Sequence, residues 1–461
     1  LKNNGYALPG KKITINMAPA DLRKEGSAYD LTLAVGILVA SSQISTAVLD
    51  EYVIMGELSL DGSLQPIKGA LPIAIKAKEE GFKGFFLPKQ NVKEAAIVAG
   101  LDVYGVENVQ EVIDFLEGKG TLEPTRIDTR AEFYKTLDFP EFDFSDVKGQ
   151  ESIKRCMEIA AAGGHNIILI GPPGAGKTML AKRLPSILPP MTLREALETT
   201  KIHSVAGKLK EVGLMNQRPF RSPHHTISNV ALVGGGSYPQ PGEISMAHNG
   251  VLFLDELPEF KRDVLEVMRQ PLEDREVTIS RAKFTVTYPS SFMLVASMNP
   301  SPSGFFNDPS APQTSSPHEM QRYLSKISGP LLDRIDIHIE VTPVPFEKLS
   351  DDRKAESSVD IRQRVTAARE LQSQRFEELE HIHYNAQMNT KHIREFCALD
   401  ATSKELLKTA MERLNLSARA YDRILKVSRT IADLEASPNV MASHIAEAIQ
   451  YRSLDREGWL G

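Results

Sequence analysis

The sequence predicts an α/β protein with a parallel-sheet core, a small α+β domain before that core and a helical domain after it. Three observations support this fold class. The apolar run Ile167–Ile170 leads through a glycine-rich loop into a helical pattern. Strand-like and helix-like segments then alternate up to residue 345, as they do in parallel sheets. From residue 346 to residue 461 the apolar periodicity is helical throughout.

The first 140 residues predict a small domain followed by a linker. Residues 1–118 alternate short β-rich runs with two helical patterns, at 30–41 and 68–81. Residues 119–140 lack an apolar period and mix glycine, proline and charges, which is typical of a linker. Because the chain begins with Leu1, we expect a trimmed N-terminus and a first domain that lacks its start. The sheet core would then occupy residues 141–345 and the helical domain residues 346–461.

Composition sets broad limits on the protein. A chain of 461 residues is too long for one hydrophobic core, and its 41% hydrophobic and 25% charged content is typical of soluble proteins. The sequence shows neither a membrane-spanning run nor a signal peptide, and its two cysteines suggest no disulfide framework, so we expect a cytoplasmic protein without membrane contact. The net charge of −6 gives no general attraction to nucleic acid, so DNA binding would need local basic patches.

The loop after the first core strand satisfies the phosphate-binding pattern G-x-x-x-x-G-K-[ST] at every fixed position. Its glycines allow backbone N–H groups to turn toward a phosphate at the start of the next helix. Lys177 would reach the β- and γ-phosphates, and the Thr178 hydroxyl would bind Mg²⁺. The sequence therefore predicts a site for ATP and Mg²⁺, formed by Gly171, Pro172, Pro173, Gly174, Ala175, Gly176, Lys177, Thr178 and Met179.

Two further strands end in polar residues that suit this site. The apolar strand at 251–254 ends in Asp255 and Glu256. Asp255 would hold Mg²⁺ through water, and Glu256 would orient and deprotonate the attacking water. The strand at 292–296 leads to Asn299, which either belongs to the site or is a turn residue before Pro300.

This order of motifs resembles the AAA+ ATPases, and within them the magnesium-chelatase-like ComM/YifB family. The resemblance also includes Leu-Leu-Asp-Arg-Ile-Asp at 331–336, Leu-Ser-Ala-Arg-Ala at 416–420 and the strings at 16–26, 220–225 and 326–334. It covers essentially the whole chain. It implies an AAA+ core with a C-terminal helical lid, preceded by a domain similar to the proteolytic domain of Lon, which has the ribosomal S5 domain 2-like fold.

The resemblance also implies roles for two arginines. Arg334 would act on the γ-phosphate bound by a neighbouring subunit, which implies a ring, and specifically a homo-hexamer. Without the resemblance, a surface pair with Asp333 or Asp336 would be an equal alternative for Arg334. In the lid, Arg419 would sense the nucleotide, with Arg423 as an alternative one helical turn further on.

Residues 275–288 predict a β-hairpin whose tip presents Arg281 and Lys283. In this AAA+ branch the equivalent hairpin projects into the central pore, so both side chains would contact DNA phosphates. The alternative is an exposed hairpin with ordinary solubilising charges. An insertion at about 202–241 contains His224 and His225, which we interpret as hydrogen-bonded loop residues instead of metal ligands.

Two departures from the expected pattern concern zinc and proteolysis. Relatives often have a cysteine cluster after Met-Asn-Pro, whereas this chain has serines there, including Ser301 and Ser303, so we expect no zinc. Ser27 lies where the Lon-like fold has its nucleophile. The activating lysine, however, would fall near Leu71 or Pro72, and neither can accept a proton, so we expect an inactive domain.

Three functions remain open. The resemblance favours a hexameric, ATP-hydrolysing DNA motor, a helicase or branch-migration factor acting on single-stranded or branched DNA in recombination or natural transformation. The alternative is a chelatase-type ATPase that remodels a protein partner for metal insertion. An ATP-dependent protease is disfavoured because the activating lysine is missing.

Overall fold

The computed structural model describes residues 2–17, 27–45, 47–135, 142–209, 213–281, 284–303, 316–345, 355–379 and 381–452. Two parallel sheets and a bundle of helices organise these residues. The predicted α/β fold, with a parallel sheet and a C-terminal helical region, is confirmed.

The N-terminal part is built around a three-stranded parallel sheet in the order β1-β4-β5, with a short β2–β3 hairpin beside it. Phe86 and Tyr104 stack at the centre of its core, with ring centroids 4.8 Å apart. Its elements are α1 (Asp30–Ala40), β1 (Tyr52–Ile54), β2 (Glu57–Leu58), β3 (Leu64–Gln65), α2 (Ala70–Glu79), β4 (Gly84–Pro88), α3 (Val92–Ala95), β5 (Asp102–Val106) and α4 (Val109–Leu116).

The predicted linker contains a helix, α5 (Thr129–Lys135). Phe133 from this helix is buried in a cluster that includes Leu71 of the small domain and Met191 of the larger one. The helix arises because an aromatic side chain finds an apolar contact that the local sequence pattern does not reveal. Helix α5 therefore packs where the small domain meets the larger one.

The larger sheet has five parallel strands in the order β14-β6-β13-β10-β7. Helices cover it, and the chain makes an insertion between β7 and β10 and a hairpin between β10 and β13. The elements are α6 (Glu151–Gly163), β6 (Ile167–Ile170), α7 (Lys177–Ile187), α8 (Leu193–Val205), β7 (Phe220–Arg221), α9 (Asn229–Val233), β8 (Gly234–Gly235), β9 (Gln240–Pro241), α10 (Glu243–Met246), β10 (Val251–Leu254), α11 (Arg262–Glu266), α12 (Arg269–Asp274), β11 (Glu276–Arg281), β12 (Phe284–Pro289), β13 (Met293–Met298), α13 (Pro317–Leu324), α14 (Gly329–Leu332) and β14 (Ile337–Glu340).

The central strand β6 shows why its sequence is apolar without alternation. Ile167 and Leu169 pack into one hydrophobic cluster, whereas Ile168 and Ile170 pack into another on the opposite face. A parallel strand that is covered on both faces needs apolar residues at every position. The sheet is thus buried on both sides, and its carboxyl edge is where loops can form a site.

The helical region packs on one face of this sheet. Its helices α15 and α18 lie against α6, and lid and core residues share one hydrophobic cluster. Among the described residues, no helix combines the length and apolar character needed to cross a membrane. The region consists of α15 (Ser358–Arg375), α16 (Thr390–Phe396), α17 (Ala401–Arg413), α18 (Ala418–Leu434) and α19 (Ala442–Gln450).

The predicted hairpin at 275–288 is confirmed as β11 and β12, which pair in antiparallel fashion from Glu276 opposite Pro289 to Arg281 opposite Phe284. Arg281 is exposed at the end of β11. Lys283, the second predicted DNA contact, lies outside the described residues.

Candidate nucleotide-binding site

The glycine-rich loop leaves β6 at the carboxyl edge of the sheet and enters α7 at Lys177. Gly174 and Gly176 have φ angles of 79° and 90°, in the left-handed region that favours glycine. A Cβ on Gly171 would lie 2.2 Å from the carbonyl oxygen of Val341, so no side chain fits there. The loop can therefore approach a phosphate with its backbone N–H groups, next to the positive end of α7.

Lys177 connects this loop to the neighbouring strand. Its ammonium group donates to the carbonyl oxygens of Gly171 and Pro172, at 2.6 and 3.0 Å, and to Oδ1 of Asn299 at 3.1 Å. Asn299 reaches the loop because β13 pairs directly with β6. Burial lowers the pKa of Lys177, and the charges of Asp255 and Glu256 oppose that shift. A bound phosphate would supply negative charge at this ammonium group.

Side chains whose oxygens could bind a cation lie in contact beside the start of α7. Thr178 Oγ1 donates to Asp255 Oδ2 at 2.9 Å, and the hydroxyl of Ser297 donates to Oδ1 of the same carboxylate. Hydroxyl and carboxylate oxygens are the ligands that Mg²⁺ prefers, and it usually binds few protein groups together with substrate phosphates and water. The residues present therefore fit a magnesium ion shared with a nucleotide.

Glu256 follows Asp255 with a left-handed backbone, at φ 54°. Its N–H donates to Ser297 Oγ and to Asp255 Oδ1, each at 3.2 Å. The backbone is thus fixed while the side chain stays 56% exposed. Nδ1 of His225 lies 3.7 Å from Oε2 of Glu256. The carboxylate is therefore free to reach a water molecule and has a basic side chain beside it.

A cavity of about 370 Å³ adjoins Glu256 and Asn299. Tyr323 and Lys326 also line it. The Tyr323 hydroxyl donates to the carbonyl oxygen of Asn299 at 3.2 Å, and Lys326 pairs with Glu259 at 3.1 Å. The side chain of Glu256 thus borders a cavity with room for water molecules.

The two predicted arginines lie near each other. Arg334 is 20% exposed and forms an ion pair with Glu273, so its partner is neither Asp333 nor Asp336. Arg419 is 69% exposed and pairs with Asp333, the residue before Arg334. The structure thus joins the lid arginine to the Leu-Leu-Asp-Arg segment of the same chain.

Arg423, the alternative to Arg419, is largely buried at the junction of lid and core. Its Nε lies 3.6 Å from Oδ1 of Asp336, whose other oxygen contacts Nδ1 of His165 at 3.3 Å. Burial by itself would raise the pKa of Asp336. The hydrogen bond and charge of His165, with the charges of Arg423 and Lys426, outweigh burial and hold the pKa well below its usual range. Both arginines therefore have an acidic partner, but Arg423 is largely buried against Asp336 whereas Arg419 is exposed.

The hairpin packs on the insertion between β7 and β10. Nε of Arg281 donates to the carbonyl oxygen of Gly236 at 3.4 Å, and the Tyr288 hydroxyl donates to that of Pro239 at 2.8 Å. The hairpin and the insertion are therefore hydrogen-bonded to each other.

Comparison with known proteins gives the family. Residues 143–349 match the family described as "Magnesium chelatase, subunit ChlI", residues 355–452 match its C-terminal family, and residues 1–91 match "Subunit ChlI of Mg-chelatase". The chain is 46% identical to YifB of Escherichia coli over 458 residues, which are 98% of this chain and 87% of that protein. It is 43% identical to the competence protein ComM of Haemophilus influenzae over 457 residues, 99% of this chain and 88% of that protein.

The chain belongs to the ComM/YifB family. This magnesium-chelatase-like AAA+ family implies an ATPase, and the resemblance that the motifs predict is confirmed. A further match, 29% identical over 150 residues and 31% of this chain, is to Lon protease 2 of Bacillus subtilis, of which it covers 27%.

In this member of the ComM/YifB family, the region predicted to lack a catalytic lysine forms a domain contact. Leu71 is buried, and its N–H donates to Ser204 Oγ of α8 at 3.4 Å, where α2 packs on α8. Ser27 begins a short 3₁₀ turn before α1. The position predicted for the lysine thus helps attach the Lon-like part to the ATPase core.

In the serine segment after Met-Asn-Pro, where we expect no zinc, the hydroxyls of Ser301 and Ser303 lie 2.9 Å apart. The following positions, 304–315, lie outside the described residues. Within the described ranges, no group of three or more His, Cys, Asp or Glu side chains could hold a metal ion.

Sequence reasoning missed two residues of the site, Ser297 and His225. Ser297 could have been found, because it lies two residues before Asn299 and alternate strand residues share a face. His225 gave only a weak local signal. It lies beside Glu256 because β7 pairs with β10, with Arg221 opposite Leu252. His225 is four residues after Arg221, and Glu256 is four residues after Leu252, so both follow the strands at the same edge of the sheet.

Proposed function

We propose that this protein is a hexameric AAA+ motor of the cytoplasm that hydrolyses ATP to move DNA, as a helicase or branch-migration factor. One structural observation supports this most directly. The hairpin with Arg281 at its end is inserted between β10, which leads to Glu256, and β13, which leads to Asn299. A force on the hairpin is therefore applied to both strands that supply the candidate catalytic residues.

In the proposed reaction, Lys177 binds the β- and γ-phosphates and the loop N–H groups hold the triphosphate in place. Thr178 and Asp255 would hold Mg²⁺, which neutralises charge on the phosphates when it is bound. Glu256 orients the attacking water and accepts its proton, and Asn299, which accepts a hydrogen bond from Lys177, orients the γ-phosphate. Ser297 keeps Asp255 and the backbone of Glu256 in position for these roles.

Arg334 would complete the site of the adjacent subunit, and Arg419 would sense the nucleotide from the lid. Arg419 pairs with Asp333, the residue before Arg334, so the lid is connected to the segment that would act on the neighbour. Arg334 must release Glu273 to stabilise the transferred phosphoryl group across the boundary. Because each site would need a neighbour, a closed ring follows, and we propose six subunits.

Six hairpins would line the pore of such a ring with DNA-contacting residues Arg281 and Lys283. Two cations from each of six subunits give about twelve positive charges near the strand phosphates. Such a local concentration can overcome the repulsion from a chain with a net charge of −6. The name of ComM as a competence protein favours a role in natural transformation.

A second candidate is a chelatase-type ATPase that remodels a protein partner for metal insertion. The match of residues 143–349 to the magnesium-chelatase ChlI family favours it. Under this alternative, a protein partner would stimulate ATP turnover, whereas DNA would not.

ATP turnover should be measured with no DNA and with single-stranded, duplex and four-way-junction DNA, together with particle mass. The DNA motor predicts stimulation by at least one DNA and an ATP-dependent hexamer. The double variant Arg281→Ala with Lys283→Ala should keep basal turnover and lose stimulation. The control Lys408→Ala with Arg413→Ala removes two exposed cations of α17 and should behave like the wild type. Equal stimulation of both double variants would refute the role of the hairpin.

Action across subunits has its own test. Arg334→Ala subunits retain Glu256, and Glu256→Gln subunits retain Arg334. Mixed rings of the two inactive variants should recover part of the ATP turnover if Arg334 acts in trans. Mixtures that stay inactive, although they assemble, would contradict this.

A further inference from the structure

A lid side chain contacts the root of the hairpin. The root consists of Arg275, directly before β11, and of Ser290 and Ser291, directly after β12. Tyr384 lies between α15 and α16, and its hydroxyl oxygen is 3.1 Å from that of Ser291, a hydrogen bond in which either group can donate. Ser291 lies between β12 and β13, where the returning hairpin strand enters the sheet. The lid is therefore hydrogen-bonded to one end of the hairpin root.

The same tyrosine also contacts the other end of the root. Arg275, directly before β11, has its guanidinium carbon 5.5 Å from the centroid of the Tyr384 ring. The N–H of Ser290 donates to the carbonyl oxygen of Arg275 at 2.7 Å and closes the root between these ends. One lid residue thus contacts the residues that flank both strands of the hairpin, one before β11 and one after β12.

Tyr384 is held firmly by lid and core. The guanidinium carbon of Arg369 on α15 lies 4.2 Å from its ring centroid, and the next residue, Asn385, donates its N–H to Oε1 of Gln372 at 2.9 Å. A Cβ on Gly164 would lie 2.4 Å from the ring, so the core leaves space for the ring only because that position is glycine. Tyr384 therefore connects the lid, through Arg369 and its neighbour Asn385, to the core at Gly164.

We propose that Tyr384 is a positioning residue that transmits movement of the lid to the hairpin. The proposal rests on the proposed function, in which nucleotide state moves the lid and the hairpin moves DNA. The lid contains Arg419, which pairs beside Arg334, so changes at a subunit boundary would reach Tyr384 through α18 and α15. A hairpin with six-residue strands is about 20 Å long at 3.3 Å per residue, so a small shift at its root becomes a larger one at its tip.

The test removes the hydrogen bond and keeps the ring. Tyr384→Phe and Ser291→Ala each delete the same contact, so each should lower the ratio of DNA-stimulated to basal turnover by about fivefold, and the double variant should lose no more than either alone. Basal turnover should stay near that of the wild type.

Tyr451→Phe is the matched control, because that hydroxyl donates to Glu447 within the lid. A ratio in Tyr384→Phe equal to that of Tyr451→Phe would overturn the proposal.

A second readout does not involve DNA. Amide hydrogen exchange of residues 276–281 and 284–289 should differ between ADP and a non-hydrolysable ATP analogue in the wild type. In Tyr384→Phe that difference should shrink, while the difference in α7 persists. Wild-type hairpins that exchange alike with both nucleotides would overturn the coupling role. If DNA fails to stimulate wild-type turnover, the DNA motor fails, and this exchange experiment still decides the coupling role.

Discussion

Ser297→Ala gives a sharp test of the proposed catalytic geometry. The hydroxyl of Ser297 donates to the carboxylate of Asp255 and accepts the N–H of Glu256. Its side chain is fully buried, so water has little room to take over either contact. The variant would therefore loosen the two acidic residues together without touching the phosphate-binding loop.

The magnitude follows from the type of hydrogen bond. A hydrogen bond to a charged group contributes about 1.5–3 kcal/mol. Because 1.4 kcal/mol corresponds to a factor of ten in rate, loss of this hydrogen bond corresponds to a decrease in ATP turnover of about 10- to 100-fold. We expect this decrease in turnover at saturating ATP, with a higher Mg²⁺ requirement. Nucleotide binding without Mg²⁺ should change little, because Lys177 and its partners are intact.

The assay is steady-state ATP turnover across a Mg²⁺ titration, with binding of a fluorescent nucleotide in EDTA. Ser290→Ala is the control, because its buried hydroxyl has no hydrogen-bond partner within the described part of the chain. Thermal melting checks that both variants are folded. If Ser297→Ala and Ser290→Ala share the same turnover and Mg²⁺ dependence, Ser297 does not position the acidic pair.

Three further variants test other parts of the site. Lys177→Ala should abolish nucleotide binding, because it removes the ammonium group that lies on the loop and would contact the β- and γ-phosphates; retained affinity in a calorimetric titration would contradict this. His225→Ala should change kcat more than KM for ATP, because His225 contacts the carboxylate of Glu256; a change confined to KM would argue against a positioning role. Asp336→Asn should lower the free energy of unfolding at pH 7 by about 2 kcal/mol, because it weakens a charged hydrogen bond at the lid–core junction. The folded-state pKa of Asp336 lies below its unfolded value of about 3.9, so this stabilisation is present above about pH 4 and is lost as the pH falls further. The gap between wild type and variant in denaturant melts should therefore narrow in acid, and a gap that widened would refute the assignment.

Local chemistry made much of the site predictable. The phosphate-binding loop is a continuous segment, and its glycines and Lys177 have roles that depend on local backbone geometry. The acidic pair follows directly after an apolar strand, so the carboxyl edge of a parallel sheet could be inferred for it. The linker was harder to predict, because helix α5 depends on a distant apolar partner for Phe133.

The sequence by itself determined the α/β core, the nucleotide-binding loop and the position of Asp255 and Glu256, because each depends on neighbouring residues. Only the tertiary structure decided that His225 lies beside Glu256, that Arg419 and not Arg423 is exposed, and that Tyr384 reaches the hairpin root. These contacts join residues far apart in the chain. Strand register and lid packing create them, and no local pattern encodes either.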